Sequence, residues 1–165
     1  MALCPTRVSS GRSSEVMILA NHFRSDSRTM EPLLSIQIYN DPAVYRPGDE
    51  MRFDYQVDAI PADQISAVEA SVLWLTEGKG DEDFGVHFFE RRVPSDAVDS
   101  DLRPLQTCTV TLPPTPLSYE GEILQVRWFV RLRVFVRGGK EYRLEKPFVL
   151  STTETPTKAR LTPYA

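Results

Sequence analysis

From Leu124 to Val136 every second residue is apolar: Leu124, Val126, Trp128, Val130, Leu132, Val134 and Val136. A period of two puts all seven on one face of an extended strand. The residues between them, Gln125, Arg127, Phe129, Arg131, Arg133 and Phe135, with Arg137 just beyond, make a second face that is basic with aromatic interruptions. Such a strand belongs in an antiparallel sheet, with one face on a core and the other wetter. At about 3.3 Å per residue the run spans about 45 Å, so it must bend, change partner or project beyond a compact sheet.

The same alternation recurs along the chain. Met51, Phe53, Tyr55 and Val57 alternate with Arg52, Asp54, Gln56 and Asp58, giving a strand with one core face. Residues 65–76 carry Val68, Ala70, Val72 and Trp74 on one parity, with Leu73 and Leu75 thickening the other. A helix competes there by propensity, but the β-branched and aromatic residues at its end favour a strand. Strands are also expected over 33–39, 84–92, 105–112 and 140–150. Between them lie turn signals: Asn40-Asp41-Pro42, a type II turn at Pro47-Gly48, the hairpin loop Glu77-Gly78-Lys79-Gly80-Asp81, an acidic loop over 94–104, Pro113-Pro114, and a two-residue hairpin at Gly138-Gly139. Seven or eight strands without a convincing helix predict an all-β fold, an antiparallel β-sandwich.

At 165 residues and 41% hydrophobic content the chain buries one sizeable core. We expect a single domain over 30–150, an N-terminal extension over 1–29 that is disordered or precedes the true start at Met17 or Met30, and a flexible tail over 151–165. The apolar patch 16–20 is too short for a secretory signal, and no apolar run is long enough to span a membrane. A net charge of −4 excludes a general argument for nucleic acid. The charge is uneven, however. Residues 77–101 are acidic, with Glu77, Asp81, Glu82, Asp83, Glu90, Asp96, Asp99 and Asp101, whereas 122–146 hold five arginines and two lysines. If these surfaces lie apart they orient a partner; otherwise they are ordinary solvated strand faces. The two cysteines, Cys4 and Cys108, form no disulfide framework and fit a reducing cytoplasm, with Cys108 as a small strand side chain.

Several segments together resemble the arrestin superfamily: Val44-Tyr45-Arg46-Pro47-Gly48-Asp49-Glu50 and the strand after it, Leu112-Pro113-Pro114, Ser118-Tyr119-Glu120-Gly121, and Val126-Arg127-Trp128-Phe129-Val130-Arg131. The resemblance covers residues 33–150, one sandwich rather than the usual pair. It implies an arrestin-like (immunoglobulin-like) topology and a binding role as adaptor or scaffold, in a stand-alone and bacterial setting. In that resemblance Tyr45, Pro47, Gly48, Pro113, Pro114, Tyr119, Gly121 and Trp128 are structural positions, Tyr119 and Gly121 permitting a close backbone approach. There is no second sandwich and no proline-tyrosine motif that recruits ubiquitin ligases, and the phosphate-sensing polar core of the signalling members has no residue-by-residue counterpart. Receptor regulation is therefore not implied.

Chemistry is sparse. The two histidines, His22 and His87, have no nucleophile beside them in sequence, and no Cys/His spacing suits zinc. The glycines around Lys79 lack the phosphate-loop pattern. Asp81-Glu82-Asp83 gathers oxygen ligands for a hard cation but lacks the spaced acids of a strong site, so a solvated charge run is the preferred reading. We expect no enzyme activity, cofactor or metal. The stripe Arg127, Phe129, Arg131, Arg133, Phe135 and Arg137 supports two readings: a surface for an acidic peptide, phosphate or anionic lipid, or arginine stems covering the sheet while their heads pair with Glu141 and Glu145, which we prefer. The expected function is thus a protein interaction module with an unidentified protein partner. Its rivals are a secreted or surface sandwich that binds carbohydrate, and a structural domain that forms a homodimer through its edge strands.

Overall fold

The computed structural model describes residues 31–79 and 82–153. The expected N-terminal extension, with Cys4, His22 and both alternative starts, lies outside them, as do Gly80, Asp81 and the tail from Glu154.

Among the described residues nine strands follow one another: β1 (Leu33–Ile38), β2 (Val44–Tyr45), β3 (Glu50–Asp58), β4 (Ile65–Gly78), β5 (Phe84–Arg92), β6 (Gln106–Thr111), β7 (Tyr119–Glu120), β8 (Leu124–Val136) and β9 (Glu141–Leu150). The seven longer ones match the seven expected strands, and the ambiguous segment from Ile65 is a strand. The two-residue strands β2 and β7 are too short to show a period. In place of a wholly irregular loop, 94–104 holds two single-turn 3-10 helices, Pro94–Asp96 and Val98–Ser100, and Leu102 anchors it in the core.

β1, β3 and β6 form one sheet, in the order β1-β3-β6. The other has the order β2-β9-β8-β4-β5, with β7 also beside β8. Neighbours are antiparallel apart from the short parallel pair β2 and β9. The long strand resolves its length by changing partner. β8 runs against β4 from end to end, while its other side takes β7 at Gln125 and Val126 and then β9 from Trp128 onward.

The core lies between the sheets. Trp128, Val130, Leu132 and Val134 of β8 and Val68, Ala70 and Val72 of β4 face Met51, Phe53, Tyr55 and Val57 of β3, each such buried side chain contributing about 1.5–3 kcal/mol relative to exposure. Trp128 anchors one end. Its indole Nε1–H donates to Pro116 O at 2.9 Å, and its ring packs on Phe148 with centroids 5.7 Å apart.

The turn Arg46-Pro47-Gly48-Asp49 is closed by Asp49 N–H donating to Arg46 O at 3.0 Å, and Gly48 takes the positive φ of 86° that a type II turn needs. Gly48 N–H donates to Leu112 O at 3.0 Å and Leu112 N–H to Asp49 O at 2.9 Å, so this turn is tied to the residue preceding Pro113-Pro114. The hairpin after β8 differs from expectation. Three residues, Arg137, Gly138 and Gly139, separate Val136 from Lys140, which are joined by Val136 N–H donating to Lys140 O at 2.9 Å. The extra residue is Arg137, whose N–H is drawn to Gln64 O at 2.8 Å.

Candidate functional site: the outer face of the six-stranded sheet

With one parity of β4, β5, β8 and β9 committed to the core, the other parity forms an outer face whose rows follow from the pairing register. The central row runs Val86, Leu73, Phe129, Pro147. Toward the β4–β5 loop the next row holds Phe84, Leu75 and Arg127. In the opposite direction come Phe89, Ser71, Arg131 and Glu145, then Arg91, Glu69, Arg133 and Arg143, and finally Ala67, Phe135 and Glu141.

The charged rows form a connected lattice. Arg131 Nε donates to Glu145 Oε1 at 2.7 Å, and Arg143 Nε lies 3.7 Å from the same oxygen. Arg133 binds Glu141 through two hydrogen bonds, 2.7 and 3.0 Å, and its Nη1 sits 3.2 Å from Glu69 Oε2. The other Glu69 oxygen pairs with Arg91. The bond to Arg133 holds the Glu141 carboxyl below its ordinary range and raises Arg133 in return. Phe135 lies beneath two guanidinium groups, at 5.4 Å from Arg91 and 4.9 Å from Arg133, an arrangement that adds cation–π attraction. Arg127 pairs with Glu77 at 3.5 Å. The pairing of arginines with Glu141 and Glu145 is therefore present, and Glu69, buried on β4, is a partner the sequence does not reveal. Arg137 departs from the expected stripe. β8 ends at Val136, and Arg137 stands exposed in the turn beyond it.

The central rows are apolar. Leu73 and Phe129 are 1% and 9% exposed yet belong to no part of the inter-sheet core; they are buried on the outer side. Beside them Phe84, Val86 and Phe89 stand 69%, 51% and 56% exposed. These three were missed because FGVHFF does not keep a period of two. The break marks a β-bulge: Val72 pairs with Phe88 and Leu73 with Val86, leaving His87 as the extra residue. Phe88 consequently packs against the core, while His87, on the same side of the strand, stays exposed. Phe88 meets Phe53 edge to face at 6.4 Å, and His87 Nε2–H donates to Thr111 O at 2.7 Å with its ring against Trp128.

Among the described residues no other region assembles reactive groups. Cys108 is buried on β6, its thiol 3.6 Å from Glu90 Oε2, and burial followed by the Glu90 charge pushes its pKa up to about 12. One open groove is lined by Asn40, Pro42, Val44, Tyr45, Arg46, Asp49 and Thr153, another by Gln56, Asp58, Ala59, Asp101, Arg103 and Pro104; neither holds a histidine, cysteine or serine. Of Asp81-Glu82-Asp83, the first lies outside the described residues, and Asp83 Oδ1 accepts the Phe84 N–H at 2.8 Å. Among the described residues no three His, Cys, Asp or Glu side chains are grouped to hold a metal ion. The close approach at Tyr119 and Gly121 is real: a Cβ on Gly121 would fall 2.6 Å from the Tyr119 ring and 2.9 Å from Leu124 O.

No family model and no curated protein matches this chain. Among solved structures, the sporulation control protein Spo0M from Bacillus subtilis is similar with a TM-score of 0.52 at 14% identity, over 74% of this chain and 50% of that one. The chain thus spans half the length of that structure, and the likeness is one of fold. The fold is an arrestin-like β-sandwich of two mostly antiparallel sheets. No helix among the described residues is long and apolar enough to cross a membrane.

Proposed function

We propose that this domain is a non-catalytic protein–protein interaction module, an adaptor or scaffold of arrestin type, that docks through the outer face of its six-stranded sheet. The observation that carries the reading is the exposed apolar belt of Phe84, Val86 and Phe89 set on Leu73 and Phe129, since contiguous exposed apolar surface on a folded domain marks an interaction site. The arginine lattice beside it, Arg127, Arg131 and Arg133 with Phe129 and Phe135, and Arg137 at the turn, supplies a rim for acidic groups on a partner. The fold shared with a protein named for sporulation control agrees with such a role. The cytoplasm is the compartment that fits a buried, free Cys108.

The test uses the full chain and a Phe89→Glu variant, whose substitution is exposed and spares the core, in crosslinking and affinity capture from host cells. Partners captured by the wild-type chain and lost by the folded variant support the reading. Partners retained equally by both move the docking surface elsewhere and refute it.

A further inference from the structure

We propose that β5 is a strap: it detaches from the sandwich as a unit, opening the margin between the two sheets at β5 and β6 while the remaining strands stay folded. At that margin β5 and β6 are each the last strand of their sheet and share no hydrogen-bonded ladder. The bonds that cross from one to the other are made by side chains. His87 Nε2–H donates to Thr111 O at 2.7 Å, and the Cys108 thiol to Glu90 Oε2 at 3.6 Å. On the opposite margin the backbones of β1 and β9 themselves come within 8 Å.

β5 is lightly held for its length. Among the described strands longer than two residues it alone contains no buried residue, although β4 beside it is buried almost without break from Ile65 to Leu73. Its inward positions are Gly85, His87, Phe88, Glu90 and Arg92, and of these only Phe88 is a large apolar side chain. Little hydrophobic free energy therefore opposes its departure. The bulge at His87 interrupts its ladder with β4. Arg92 Nη1 is buried with no hydrogen-bond partner among the described residues, so closure leaves a charged donor unmet that solvent meets on opening. The main restraint on the other side of the strand is Arg91, paired with Glu69.

The ends of the strap are set by two fixed points. Thr76 N–H donates to Asp83 O at 2.8 Å just before it, and Leu102, 1% exposed, pins the connection to β6 in the core after it. An edge strand with few buried apolar contacts opens at a lower free energy than the whole domain unfolds. Phe84, Val86 and Phe89 all lie on β5, so opening takes apart the exposed apolar belt. On the docking reading above, the closed fraction then scales the apparent affinity for a partner. The opening itself does not depend on that reading.

Cys108 reports the opening, because it lies against Glu90 of β5 and is 6% exposed when the strap is closed. In a full-length Cys4→Ser chain its labelling by an aromatic disulfide reagent is followed through a urea series below the unfolding transition. Detaching one strand uncovers little surface, so the rate is expected to rise less than about twofold per molar urea, against about tenfold or more for global unfolding. His87→Ala removes an exposed side chain and its bond to Thr111, and is expected to speed labelling about threefold or more. Ile36→Val, on β1 at the far margin, lowers the unfolding midpoint but leaves the low-urea rate unchanged. Hydrogen exchange locates the opening: β5 amides bonded to β4 follow the shallow urea dependence of Cys108, and β9 amides the steep one. Labelling that follows the global slope from zero urea, a rate unmoved by His87→Ala, acceleration by Ile36→Val, or β5 amides as protected as those of β9 overturns the proposal. None of these measurements requires a partner, so they are independent of the capture experiment.

Discussion

Glu69 and Arg133 face one another across β4 and β8, with Glu69 Oε2 3.2 Å from Arg133 Nη1 on a surface where the Glu69 side chain is almost wholly covered. Its other oxygen is held by Arg91, so one carboxylate joins three strands. Glu69→Ala leaves Arg91 and Arg133 without their shared partner and empties the covered site. We expect a loss of about 2 kcal/mol in urea unfolding, below the 3–5 kcal/mol of a fully buried pair because both arginines remain partly hydrated. A change under about 0.5 kcal/mol would mean that the lattice is ornament on a sheet already held by its ladder.

Acid should destabilise the fold through a small set of carboxylates. Asp101 accepts from the Arg103 side chain at 2.9 and 2.8 Å and from its backbone N–H at 2.9 Å, which pulls its pKa down to about 2. Asp54, receiving the Tyr39 hydroxyl and Thr107 Oγ1–H at 2.7 Å, is lowered too, as is Glu141 beside Arg133. Groups depressed in the folded state contribute stability that is present above their unfolded values and lost as pH falls through the folded ones. The melting temperature is therefore expected to hold near neutrality and to fall from about pH 4.5 to about pH 2. Asp101→Asn should flatten the lower part of that descent. An unchanged slope in the variant would show that Asp101 contributes nothing to it.

The Cys108 thiol should be inert in the native state. Burial and the Glu90 charge keep it protonated far above neutral pH, and only the thiolate attacks. In a Cys4→Ser chain, reaction with an aromatic disulfide reagent near pH 8 is expected to be at least about a hundredfold slower than with a free thiol, and to reach the free rate in denaturant. Fast native labelling would place Cys108 outside the core.

Much of the fold was legible because burial on one face writes a period of two into a strand. The alternation at Met51–Val57 and Trp128–Val136 carries that signature, whereas Leu124 at the start of the same run stands exposed, and Pro47-Gly48 marks its turn by the φ that glycine alone adopts cheaply. The candidate site was legible only in part. Arg131 and Arg133 could be placed on a common face with Glu141 and Glu145 near in sequence across a hairpin. Phe84, Val86 and Phe89 could not be recognised as a surface, because the bulge at His87 shifts parity within the strand and hides which aromatic points outward. The three-residue turn at Arg137 was hidden for a related reason: two glycines announce a hairpin, but the register of Phe135 with Glu141 sets how many residues it takes.

The sequence by itself determined the strand content, the core parity of β3 and β8 and the uneven distribution of charge, since these are properties of single segments and need only local geometry. Tertiary structure decided that β4 lies between β5 and β8, which brings Glu69 to Arg91 and Arg133. Strand order and register come from packing two sheets around one core, where a shift of one residue would turn every buried side chain outward. No periodicity within a single strand carries that information.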